Sequence, residues 1–271
     1  MTWRCAHIDE TESFYKPALT LRPRTDFQEM LQGLRQPLSH EFHSSGWANF
    51  TRLYSAQELT YETDTFPAIS GIVQRIQKIT GDAYYAGLWK RHFLEGLLWY
   101  LGGSLTSREG QGSDSRPERK RKGWIAPSWS WASVVGNIDY SHAWPISGCF
   151  CARLEECVTF PSGLDPFGAL KAGFARITGA VTSITHISGE ESEFGRTYKI
   201  LLGNGRRVGA WVKLDFVRYK SCNALMITPD LGICIVKVKG TANTYIRVGY
   251  FEIMRRLTAS DHVPPRTITL V

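Results

Sequence analysis

The sequence has no apolar run long enough to cross a membrane as a helix, so no membrane span is expected. It shows no secretory leader. Met1-Thr2-Trp3-Arg4-Cys5 is not followed by an apolar stretch and a small-residue cleavage site. Cysteine is sparse, at six residues: Cys5, Cys149, Cys151, Cys157, Cys222 and Cys234. None forms a C-x-x-C pair, which argues against a structural zinc site. Without a leader, free thiols in a reducing, intracellular compartment are expected. Also missing are G-x-S-x-G, a P-loop and a dinucleotide-binding glycine run, and no internal repeat is visible. No cofactor and no metal are expected.

What the chain does have is aromatic area. Its 271 residues are 43% hydrophobic and 12% aromatic, with nine tryptophans, and only 21% charged. That is a globular composition. The formal net charge is +7. Much of it is local, in Arg116, Arg119, Lys120, Arg121 and Lys122. This cluster ends a stretch rich in Gly, Ser, Arg, Lys and Glu, residues 103–123, which reads as a mobile surface loop. The basic cluster reads either as a solvated loop flank or as a polyanion-binding or nuclear-targeting patch.

Along the chain, residues 1–24 are irregular. Thr25-Asp26 offers a helix N-cap before Phe27, Met30, Leu31 and Leu34. A second helix is predicted from about Ser44 to Ser55. Asp64 or Thr65 can cap a third, with Pro67 in its first turn. Its stripe is Ile69, Ile72, Val73, Ile76 and Ile79, and Gly81 stops it in a left-handed cap. Tyr84 to Trp89 reads as a compact aromatic turn, and His92 to Tyr100 as a short buried helix.

After Trp124 the period changes to that of strands. Trp129–Val135 is predicted to begin them, with the Trp129 and Trp131 indoles on one face. Ile138–Tyr140, Cys149–Phe160, Gly173–Val181, Ala224–Thr228, Leu231–Val238, Tyr245–Ile253 and Thr267–Val271 follow. Tyr198–Leu202 and Val208–Val212 flank Gly203-Asn204-Gly205, a hairpin signal. The fold class predicted is α+β: a helical part (25–102), the basic loop (103–123) and a β-rich part (124–271) forming an antiparallel sandwich or partly open barrel. One cooperative unit is expected. Ala126-Pro127-Ser128-Trp129-Ser130-Trp131 would be its joint.

A series of short motifs adds a resemblance. It runs through Tyr54-Ser55, Asp64-x-x-Pro67-Ala68-Ile69-Ser70-Gly71, Ala86-Gly87-Leu88-Trp89, Gly96-Leu97-Leu98-Trp99, the Ala126–Ser133 stretch with Pro127, Trp129 and Trp131, and Tyr245-x-Arg247-Val248-Gly249. In order and spacing these resemble the region that follows the HET domain in fungal heterokaryon-incompatibility proteins. The match covers about residues 47 to 255. Gln57 and Thr65 replace residues usually basic there, and Phe66 a leucine. The HET domain's tryptophan-glutamine-glutamate segment is not visible, so the chain looks like that region standing alone. The resemblance implies nonself recognition ending in growth arrest or cell death, with the toxic activity in the HET domain. It implies a protein partner, such as another incompatibility protein, in the cytoplasm or nucleus. It also implies that this stretch by itself neither cleaves NAD nor kills.

Two other classes stay open on the residues. Exposed Trp129 and Trp131 could stack on sugars or bases beside the basic loop. Asp64, His92, Glu95, Asp139, His142 and Asp165 are the acid–base candidates for a hydrolase or transferase, though their spacing encodes no dyad or triad. Asp165-Pro166-Phe167-Gly168 is better explained as a turn.

Overall fold

A computed structural model describes residues 46–57, 59–102, 119–140, 150–192, 195–201, 205–215, 221–254 and 263–271. The helix predicted after Thr25 lies outside these residues, as do Cys5, Arg116, His142, Cys149 and the tip of the 203–205 hairpin. The predicted class holds: the chain is α+β with most of its ordered structure in sheet.

The helical part is shorter than its periodicity suggests. Helix α1 spans Trp47–Ser55 and α2 Ser70–Thr80. Neither Asp64 nor Thr65 caps α2 through its side chain. Two 3-10 turns, Glu62–Thr65 and Pro67–Ile69, come first, and the Thr65 hydroxyl donates instead to the Glu62 carbonyl. Gly81 ends α2 in the left-handed region (φ 65°) as expected. Val73 and Ile76 are buried, whereas Ile79, at the end of the stripe, is exposed.

The predicted helix over His92–Tyr100 is mostly something else. Only α3, Phe93–Gly96, is helical. Strands also occupy this part: β1 (Tyr84–Tyr85) pairs with β2 (Leu88–Trp89), and β3 (Trp99–Leu101) pairs with β6 (Ile138–Tyr140). An aromatic and leucine run buried on all sides has no period to distinguish helix from strand, and the partner of β3 lies far along the chain.

The Ser-Trp-Ser-Trp stretch is not a strand either. It is a turn leading into a 3-10 turn at Trp131–Ser133, and only β5 (Val134–Val135) is extended. The serines account for this. Ser130 Oγ accepts from the Ala132 amide, and Ser133 Oγ donates to the Ser130 carbonyl at 2.7 Å. Local side-chain bonds of this kind compete with a sheet ladder. Strand β4 (Arg119–Lys120) pairs with β5, so the end of the predicted loop belongs to structure.

The remaining strands are β7 (Ala152–Pro161), β8 (Leu170–Ser192), β9 (Gly195–Leu201), β10 (Arg207–Leu214), β11 (Ser221–Met226), β12 (Leu231–Lys237), β13 (Thr244–Ile253) and β14 (Pro265–Leu270). The ladders β8–β9, β9–β10, β10–β13, β13–β12, β12–β11 and β11–β8 close a ring, so the barrel is shut rather than partly open. The first half of β8 runs beyond the ring and carries β7 and β14. The β13–β14 pair is parallel, the one departure from an antiparallel arrangement among the described ladders.

Alternation along the ring strands serves two cores. Ile184, Val208, Ala210, Val212, Ala224, Cys234 and Phe251 join one aliphatic cluster drawn from the ring. Their neighbours Leu225, Ile233, Ile235 and Tyr250 face the opposite way, into a larger cluster shared with the helices and tryptophans.

Candidate ligand cleft and the joint beside it

The joint is built on one glycine carbonyl. The indole N–H groups of Trp47 and Trp131 both donate to Gly87 O, at 2.8 and 3.0 Å. Gly87 holds φ at 98°, and a Cβ there would overlap the Trp131 indole. No other residue fits that turn. Trp89 packs edge-on against Trp47, with ring centroids 5.5 Å apart. Trp99 Nε1 donates to the Trp129 carbonyl at 3.0 Å, and Phe93 packs on Trp129. Tyr54 Oη donates to the Thr65 carbonyl, and the Ser55 hydroxyl accepts from the Ile138 amide, tying α1 to its surroundings.

Trp129 is 0% and Trp131 2% exposed. Neither can serve as a stacking platform for a sugar or base, contrary to the expectation from the sequence. They are core residues because their flat faces cover much apolar area and the serines between them satisfy the turn. Pro127 is seated on the sheet, where a Cβ at Gly173 of β8 would stand 2.7 Å from Pro127 Cγ.

Arg247, on β13, crosses from the barrel to this core. Its guanidinium is fully buried. It donates to Asp215 Oδ2 at 2.6 Å, to the Trp99 carbonyl and to the Leu97 carbonyl, and it lies 3.4 Å over the Trp99 ring. Its amide donates to Ser128 Oγ at 2.9 Å, and that hydroxyl in turn donates to the Val271 backbone oxygen. One arginine therefore binds three separate segments. Burial pushes the Asp215 carboxyl above its usual range, against the opposing pull of Arg247. Burial likewise lowers Arg247, with Asp215 holding it up. Asp215 Oδ1 remains buried without a hydrogen-bond partner among the described residues. Leaving such an acceptor unmade costs roughly 1–3 kcal/mol.

Beside this clamp opens a cleft of about 810 Å³. Trp124, 51% exposed, and Phe160, 42% exposed, line it, together with Ala172, Val238, Ile246 and Asp215. It is mainly apolar.

The other predicted residues scatter. Asp64, Pro67 and Gly71 are exposed around the start of α2, and Gly71 has open space around it. Gly249 sits in the β10–β13 ladder opposite Leu214. The structure does bring His92 and Glu95 together, with Nδ1 2.5 Å from Oε2, a pair their spacing was not read as encoding. Both are buried and neither lines the cleft. Asp139 Oδ1 accepts from the Tyr140 amide. Asp165 Oδ1 accepts from the Phe167 amide, in the turn expected there.

Of the basic cluster, Arg119 and Lys120 contribute the backbone of β4. Arg121 is largely buried and turned inward. Its Nε donates to the Ala132 carbonyl at 2.7 Å, and it stands 3.9 Å from Glu62. Lys122 is exposed. Asp215 and Ser128 are site residues that sequence reasoning misses. Nothing in the sequence around Asp215 marks it, whereas Ser128 was visible as part of the motif.

Cys157, Cys222 and Cys234 are free thiols. Burial pushes the Cys157 thiol well above its ordinary range. Among the described residues no group of three or more His, Cys, Asp or Glu side chains could share a metal ion, and no helix is long and apolar enough to cross a membrane. Family models, curated proteins and solved structures contain no match to this chain.

Proposed function

We propose that this chain is a recognition and regulatory region of the kind that follows the HET domain in fungal heterokaryon-incompatibility proteins. It works by binding a partner, not by transforming a substrate. The observation that supports this is the convergence of six signature residues on one joint: Tyr54, Gly87, Trp89, Trp99, Trp131 and Arg247 tie helices to barrel. Residues that together fix the relation of two layers are what a region needs if it is to pass a binding event from one layer to the other. The partner is another protein of the incompatibility system, met in the cytoplasm or nucleus. The stretch carries no death-inducing and no NAD-cleaving activity of its own.

Expression of residues 1–271 in a fungal host tests this. Normal growth with unchanged cellular NAD is expected. Growth arrest, or NAD loss with the purified chain, overturns the reading.

A further inference from the structure

We infer that the free edge of β8 at Gly173 is a strand acceptor: an extended peptide of a partner protein adds there, in line with β14. The ladder pattern carries this. Strand β14 lies between β8 and β13, and its last pairs are Leu270 with Ala175 on β8 and with Tyr245 on β13. The amides of Thr269 and Val271 donate to the Asn243 and Tyr245 carbonyls, toward β13. By alternation, Leu270 turns its N–H and C=O toward Ala175. Gly173 stands two residues before Ala175 and turns its own N–H and C=O the same way. That side faces away from β7, whose Val158 and Phe160 stand opposite Phe174 and Ala172. Among the described residues no strand pairs with Gly173 on that side, and no loop backbone bonds to it.

The opposite bank is already satisfied. Past Tyr245, the Arg247 amide donates to Ser128 Oγ, and the Val248 carbonyl accepts from the Asp215 amide. The open edge therefore belongs to β8. Gly173 and Phe174 line the cleft on that bank, Ile246 and Arg247 line it on the other, and Val271 of the β14 lane lines it as well. Residues 170–173 offer roughly 13 Å of edge, at about 3.3 Å per residue. An unpaired edge is a template for a further strand. Main-chain bonds to it supply affinity, and alternate side chains supply selection.

Alternation also sets the chemistry of the peptide. Ala175 and Ile177 face the core, and Gly173 shares their face, where Pro127 packs against it. A residue opposite Gly173 points its side chain to this apolar face. Its two neighbours point to the exposed face of Ala172 and Phe160. The segment that fits alternates apolar with polar residues. This inference gives a site to the partner binding proposed above and does not rest on the incompatibility role. Purified chain tests it, whereas growth and NAD test that role, so either can fail alone.

Three peptides test it by calorimetry on the full chain. The first is acetyl-Thr-Val-Thr-Val-Thr-amide, for which saturable binding is expected. The second carries N-methyl groups on both valine amides, and the third on the second and third threonine amides. In an added strand the valine N–H groups face Gly173. Their methylation should weaken binding about tenfold or more, whereas the threonine-methylated peptide should stay within about threefold of the first. Appending Val-Thr-Val-Thr after Val271 would fill the lane in cis and should abolish peptide binding. If that variant does not fold, the peptide series on the unmodified chain still decides. No binding of the first peptide, equal binding of the two methylated ones, a greater loss on threonine methylation, or unchanged binding by the extended chain would each overturn the inference.

Discussion

The barrel interior and the joint are two cores made on different terms. The interior gathers Ile184, Ile200, Val208, Val212 and Phe251, with small residues such as Ala210 and Ala224 between them. Its contacts are non-directional, and the ladders around it satisfy the backbone. The joint gathers Trp47, Trp89, Trp99, Trp129 and Trp131. It is held by named polar bonds: two indoles on Gly87 O, one on Trp129 O, and Arg247 on Asp215, Trp99 and Leu97. An aliphatic core tolerates exchange of similar volumes, while a core tied by buried donors and acceptors accepts one partner at each point. The barrel is therefore the scaffold, and the joint specifies how the helices sit on it.

That contrast is broken most severely at Arg247. Arg247→Ala would leave Asp215 buried and unpaired and strip the cation from Trp99. A loss of about 3–5 kcal/mol in chemical denaturation is expected, as when one partner of a buried pair is removed. A loss under about 1 kcal/mol would mean that the clamp is incidental. Next comes a matched pair of variants. Trp131→Ala should cost about 3–5 kcal/mol, since it opens a cavity and removes one of the two indole hydrogen bonds to Gly87 O, whereas Ile184→Val in the barrel should cost about 0.5–1.5 kcal/mol. Similar losses per buried atom in the two cores would dissolve the distinction between them.

Much of the scaffold was legible in the sequence. Val208 and Ala210 alternate as a half-buried strand should, and Gly203-Asn204-Gly205 sits between strands β9 and β10, which do pair. The stripe Ile69–Ile76 gave α2, and Gly81 its end. The joint was legible only as motifs. Trp129-Ser130-Trp131 has a strand's alternation, yet its serines close a turn whose geometry depends on Gly87, Trp99 and Arg247 far away in the chain. Arg247 stood out through its motif, but its partner Asp215 is a lone acid after β10 with no local signal. Pairings that span distant residues, such as Arg247 with Asp215 or Trp131 with Gly87, leave no periodic trace. The cleft, formed by segments around Trp124, Phe160, Asp215 and Ile246, was invisible for the same reason.

The smallest effect under ordinary conditions is one that alkaline pH should expose. The joint contains tyrosines, whereas the barrel-interior cluster includes none among the residues whose side chains are described. Burial raises Tyr100 and Tyr54 from the ordinary 10.0 to about 12 each, and raises Tyr84 and Tyr140 as well. These groups stay protonated in the folded chain at a pH where the unfolded chain has begun to ionise. Their contribution is complete below pH 10.0 and is lost as pH rises through the folded values near 12. Stability should hold up to about pH 9 and fall steadily from there toward 12. Tyr100→Phe, which removes one of these ionisations, should flatten that fall while leaving neutral stability nearly unchanged, because Lys213 and Trp211 still have a ring to pack on. Ile184→Val should keep the wild-type slope and merely lower the curve. Denaturation midpoints measured across this range for the three proteins would separate the cores. If Tyr100→Phe follows the wild-type slope, alkaline loss does not enter through that tyrosine of the joint.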